Sequence, residues 1–165
     1  MHEKTNAVRI IERLKLDHKT HTYDSSRAAS GVEVAAMLGQ DENKVFKTLV
    51  ATGKSGKHYV FVIPVAKELD LKKAAKAVGE KSVEMLKQKF LLELTGYVHG
   101  GCSPIGMKKF FTTRLDSSAL NCQTIIFSGG RIGLQLEMSP GDLAKAVKYE
   151  TAELTVDDKD TEQSI

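Results

Sequence analysis

Long apolar runs are missing from this 165-residue chain. No stretch approaches the ~20 apolar residues that a helix needs to span a bilayer. The opening residues, MHEKTNAVRIIERLKL, lack the apolar core and small-residue cleavage site of a secretory leader. Cysteine is scarce: Cys102 and Cys122 are too few for a disulfide framework and lack metal-ligand spacing. The five histidines form no H-E-x-x-H pattern, and no G-x-G-x-x-G is present. These absences remove membrane, secreted, zinc-hydrolase and dinucleotide-binding readings, and point to a cytoplasmic protein without metal or organic cofactor.

What is present is ordinary for a globular protein: 41% hydrophobic and 27% charged residues. The formal charge of +3 is uneven. Residues 156–165, VDDKDTEQSI, carry −3, which leaves +6 on residues 1–155. The expected division is one domain over 1–155 and a mobile acidic tail over 156–165. The basic body is compatible with a nucleic-acid partner without requiring one.

Local signals place the elements. Thr5 or Asn6 caps a helix running to about Leu16, and KTHTY reads as a short strand. Ser30 and Glu33 form a capping box for a helix over about 31–38. VFKTLVAT and KHYVFVI form a hairpin around GKSG. Asp70 caps a helix ended by Gly79, and a second helix is expected over about 84–94. FFTTRL, QTIIFS and RIGLQLEM are strands, the last two joined by a tight turn at Gly129-Gly130. Ser139-Pro140 opens a final helix, and TAEL is an edge strand. The mixture lacks strict βαβ alternation. It predicts an α+β fold with a mixed, curved, barrel-like sheet surrounded by helices.

Two features carry the chemistry. The first is GGCSPIGMKK, Gly100 to Lys109. It fails as a phosphate loop, because Met107 stands where that motif needs lysine. Cys102 would need a base such as His99 to act as a nucleophile, and free cysteine is more often a small buried hydrophobe. Glycine N–H groups in such a turn can form an anion-binding nest. On these residues alone a plain strand-to-strand corner is the simpler reading. The second feature is Lys47. On VFKTLVA it shares a face with Val45, Leu49 and Ala51, while Phe46, Thr48 and Val50 share the other. Both faces are otherwise apolar, and lysine is almost never fully buried without a partner. Lys47 therefore either snorkels to the sheet edge or enters a polar pocket. Ser128 reads first as the cap of the following turn.

VFKTLV, then GYVHGGCSPIGMKK, then SGGRIGLQLEMSPGDL, together resemble the YbaK/EbsC family of bacterial aminoacyl-tRNA deacylases, related to the editing domain of bacterial prolyl-tRNA synthetases. The resemblance covers about residues 5–155, and the linked spacing of the three motifs makes it specific. It implies a deacylase that clears Cys-tRNA(Pro) in trans, with mischarged tRNA(Pro) and prolyl-tRNA synthetase as partners. Ala-tRNA(Pro) as substrate, or a silent tRNA-binding module, are the alternatives. It also implies a site. Lys47, Gly100 and Gly101 carry the catalysis, the glycines through backbone N–H groups. Tyr23, Thr48, Ser103, Ser128 and Gly129 line the substrate site. Cys102 falls at a variable position of the loop motif. Some members have aspartate where this chain has Gln135, so Gln135 is assigned no role as a base.

Overall fold

A computed structural model describes residues 3–27 and 30–158. The chain order is α1 (Asn6–Arg13), β1 (Lys19–Thr22), α2 (Gly31–Met37), β2 (Phe46–Gly53), β3 (His58–Pro64), α3 (Leu71–Val78), β4 (Val83–Met85), α4 (Leu91–Thr95), β5 (Thr112–Asp116), β6 (Ile125–Ser128), β7 (Leu134–Met138), α5 (Pro140–Ala146) and β8 (Glu150–Ala152). Five strands form one sheet in the order β4-β2-β3-β5-β8, and three form another in the order β1-β7-β6. The larger sheet is mixed, since β5 runs parallel to both β3 and β8. The α+β class and mixed pairing follow expectation. The strands divide into two sheets rather than closing as a barrel. A single parallel bridge between Val45 and Ile126 brings the two together.

The alternation in β2 and β3 explains this layering. Phe46, Val50, Val60 and Val62 point into the main core, with Ile125, Phe127 and Leu136 of the smaller sheet and Ala7 and Ile11 of α1. Ala51, Phe61 and Ile63 point the other way, against Ala74 and Ala75 of α3 and Leu154. Each large apolar side chain so buried contributes about 1.5–3 kcal/mol. The helix starts obey their caps. The Thr5, Ser30 and Ser139 hydroxyls accept from Val8, Glu33 and Asp142 N–H groups, and the Asp70 carboxylate accepts from Lys72 and Lys73.

Three expected elements differ. The helix expected over 84–94 is β4, a 3-10 turn and the five-residue α4. The open edge of β2 captures this segment: Gly53 pairs with Val83, and the Leu86 N–H reaches the Val50 carbonyl. Backbone pairing with a buried strand overrides the helical pattern. The turn between β6 and β7 is also longer than Gly129-Gly130. Ser128 pairs with Gln135, and Arg131 and Ile132 lie outside the ladder. The helix α1 ends at Arg13, short of Leu16, and Lys15 takes a left-handed conformation. At the other terminus, Val156 N–H bonds to Glu68 O, while Asp157 and Asp158 pair with Lys73 and Lys67. The rest of the acidic tail, 159–165, lies outside the described residues.

Candidate active site

Where β2 meets the smaller sheet, the structure leaves a cavity of ≈ 360 Å³. β2 supplies Phe46 to Leu49, β6 supplies Phe127 and Ser128, and β7 supplies Leu134 and Gln135. The start of α2, Leu91 of α4 and the loop residues His99, Gly100 and Cys102 complete the wall with Tyr23. Five of the eight residues expected at the site thus converge from distant parts of the chain: Tyr23, Lys47, Thr48, Gly100 and Ser128.

Lys47 enters this cavity half-buried, and no carboxylate lies within ion-pair distance among the described residues. Burial lowers its pKa, and the charge of Glu68, acting from beyond ion-pair distance, opposes that shift. The Thr48 hydroxyl is buried and has no hydrogen-bond partner among the described residues. A buried hydroxyl left unpaired costs about 1–3 kcal/mol. An unpaired lysine charge in the cavity suits an anionic or hydroxyl-bearing ligand. Ser128 accepts from the Gly130 N–H, which leaves its own hydroxyl proton available on the cavity wall.

The loop divides sharply after its first glycine. His99 and Gly100 are exposed, whereas Gly101 to Ile105 are all buried. Gly100 takes φ +86°, a conformation that disfavours side chains, and its N–H has no acceptor among the described residues. Gly101 is different: its N–H is donated to Val98 O at 3.0 Å, and it does not line the cavity. Its φ is not left-handed. What requires glycine there is contact, since a Cβ would lie 2.9 Å from backbone atoms of Arg131 and Ile132. The extra residues of the β6–β7 turn are the surface on which this loop packs. The Gly101 N–H, expected to contact the aminoacyl carbonyl, is here bonded to Val98 O.

Ser103 and Gly129 also serve as supports. Ser103 is fully buried, and its hydroxyl accepts from the Ile105 N–H at 3.3 Å. Gly129 donates to Leu134 O and accepts from the Thr5 hydroxyl. Neither lines the cavity. Cys102 does, but burial pushes its thiol up to about 12, so it is a neutral thiol at physiological pH. Cys122 lies outside the cavity, and burial raises its thiol too.

His99, named from the sequence only as a possible base for Cys102, stands on the wall beside Gly100. Gln135 is buried and exchanges two hydrogen bonds with Gln40, at 2.7 and 3.3 Å. This amide pair locks one side of the cavity and supplies no group that takes up a proton. No cluster of three potential metal-binding side chains occurs among the described residues.

Comparison with known proteins gives the family. The model of the aminoacyl-tRNA editing domain matches residues 26–146. The chain belongs to that family. EbsC of Enterococcus faecalis, named as a candidate Cys-tRNA(Pro)/Cys-tRNA(Cys) deacylase, is 45% identical over 154 residues, which is 93% of this chain and 94% of EbsC. The crystal structure of hypothetical protein APE2540 superposes with a TM-score of 0.82 at 26% identity, covering 92% of this chain and 99% of that one. A candidate trans-editing enzyme for prolyl-tRNA synthetase superposes with a TM-score of 0.80, covering 94% of this chain and all (100%) of that one. At 24% identity that likeness speaks for the fold alone.

Proposed function

We propose that this member of the editing-domain family deacylates mischarged tRNA in trans, with Cys-tRNA(Pro) as its substrate. The observation that carries the reading is the adjacent pair Lys47 and Thr48. Both residues line the cavity beside the left-handed Gly100, Lys47 without an ion-pair partner and Thr48 with a buried, unpartnered hydroxyl among the described residues. Lys47 holds the 3′-terminal ribose or phosphate, and the Thr48 and Ser128 hydroxyls and Tyr23 shape the aminoacyl pocket. The Gly100 N–H receives the carbonyl oxygen as it gains charge. One such donor is worth about 3 kcal/mol of barrier.

The attacking group comes from the substrate. Cys102 is held as a neutral thiol, which suits it to the wall rather than to attack. The cysteinyl thiol bonds to its own ester carbonyl carbon, the bond to the ribose oxygen breaks, and the thiol proton ends on that oxygen. Aligned intramolecular attack supplies roughly 7–11 kcal/mol. It also spares Pro-tRNA(Pro), which pocket size alone separates from cysteine by only about 1–3 kcal/mol. Prolyl-tRNA synthetase is the partner that selects the tRNA, and the cytoplasm is where the reaction occurs.

Deacylation of Cys-, Ala- and Pro-tRNA(Pro) by the purified protein tests the reading. Rapid loss of the cysteinyl ester alone is expected. Preference for Ala-tRNA(Pro) would reassign the substrate, and no turnover of any of the three would leave a silent binding module.

A further inference from the structure

A second concavity, ≈ 550 Å³, lies beside the site and is lined in part by His58, Phe90, Leu94, Lys108 and Lys109. The five residues of α4 separate the two. Leu91 faces the first cavity, whereas Phe90, Glu93 and Leu94 face the second. The GGCSPIGMKK stretch joins them as well, with Gly100 and Cys102 at one end and Lys108 and Lys109 at the other.

The composition of this groove is unusual for plain surface. Phe90, in the groove wall, is 45% exposed, and Phe110, which follows Lys109 just outside the wall, is 63% exposed. The Lys89 ammonium sits 5.1 Å from the Phe90 ring centroid. Lys87, Lys89, Lys108 and Lys109 are all exposed, and none is in an ion pair among the described residues. Lys108 only reaches the backbone carbonyl of Glu93, at 3.2 Å. Glu93 is the one acidic side chain lining the groove. Lysines beside exposed rings, with Lys108, Lys109 and Phe90 in the wall and Lys87, Lys89 and Phe110 flanking it in sequence, suit a strand that offers both phosphates and base faces.

We infer that this groove docks the acceptor arm of the tRNA, with Lys89, Lys108 and Lys109 on its phosphates and Phe90 against a base. The inference rests on the deacylase reading for what occupies the neighbouring cavity. Leu91 lines the first cavity and its neighbours Phe90, Glu93 and Leu94 line the groove, so the acceptor arm of a tRNA whose 3′ end sits at Lys47 has a continuous path across α4 into the groove. An acidic protein face would match the lysines, but it would leave the exposed rings unexplained.

The test is binding of uncharged tRNA(Pro) across a salt series by wild type and by the triple variant Lys89→Ala, Lys108→Ala, Lys109→Ala. Each phosphate contact contributes about 0.7–0.9 to the slope of log K against log salt. The triple variant should bind at least tenfold more weakly at about 0.1 M salt, with a slope shallower by about 2–3. Phe90→Ala should weaken binding without changing the slope. Deacylation of Cys-tRNA(Pro) should fall in parallel, while cleavage of 3′-O-cysteinyl adenosine, which lacks the phosphates, stays within twofold. Unchanged affinity and slope would overturn the inference, as would equal loss on tRNA and on the adenosine ester. Loss seen only when prolyl-tRNA synthetase is added would assign the groove to a protein instead. If wild type cleaves neither ester, the deacylase reading fails, and the binding series still decides the groove.

Discussion

Gly101→Ala probes how the loop is held. The added methyl carbon would sit 2.9 Å from three backbone atoms, Arg131 C and Cα and Ile132 N. Backbone atoms cannot rotate aside as a side-chain tip can, so the loop and the β6–β7 turn must part by several tenths of an ångström. Overpacking of this kind costs about 1–3 kcal/mol. For a chain of this size each kcal/mol lowers Tm by about 2–4 °C, so the variant should melt roughly 2–12 °C below wild type. Displacement of Gly100 should also cut Cys-tRNA(Pro) turnover at least tenfold, about 1.4 kcal/mol of barrier. Gly100→Ala is the contrast. Its Cβ would meet only Ile132 at 3.5 Å, so its cost is the left-handed φ, about 1–2 kcal/mol. Thermal melts and single-turnover deacylation read both. A Gly101→Ala protein that melts like wild type yet loses turnover would refute the packing argument and return Gly101 to direct substrate contact.

The other variants separate stability from activity. Lys47→Met should lose most deacylation and be at least as stable as wild type at neutral pH. Burial depresses the folded pKa of Lys47, so its charge opposes folding until the pH rises through that lowered value toward 10.5. The stability of wild type relative to Lys47→Met should therefore improve in that alkaline window, and a large loss of stability in Lys47→Met at neutral pH would contradict this. Thr48→Val removes a buried unpaired hydroxyl, so it should raise stability by about 1 kcal/mol while slowing turnover, checked by the same two assays. Cys102→Ala and Cys122→Ala should stay active, and Cys102 should resist alkylation near pH 7.5; an acyl adduct trapped on Cys102 would make it the nucleophile.

Some signals at the candidate site are local. A lysine on a strand apolar on both faces leaves two outcomes, a snorkel to the sheet edge or a polar pocket, and Lys47 lines a cavity. Caps at Thr5, Ser30, Asp70 and Ser139 are equally local, and all four are made. The misreadings came from long-range pairing. VEM joins the edge of β2, 30 residues away at the Gly53–Val83 pair, and nothing within residues 84–94 announces that partner. The loop showed the same limit. A glycine pair reads as two donors, but the bond from Gly101 to Val98 and the approach of Arg131 depend on how distant segments pack. Ser103 belongs to the loop motif and Gly129 to the S-G-G turn, yet neither lines the cavity, because burial cannot be read from motif membership.

The most direct test of the account is the rate at which the purified protein clears Ser-tRNA(Pro) beside Cys-tRNA(Pro), under single-turnover conditions at equal saturation. Serine nearly preserves the shape of the aminoacyl group and replaces the thiol by a far weaker nucleophile. A site in which Lys47, Thr48 and Gly100 only position the ester and the substrate's own thiol attacks should lose at least 100-fold in rate, about 2.7 kcal/mol, with affinity little changed. Equal rates for the two esters would mean that water or a protein group attacks, and would contradict the account.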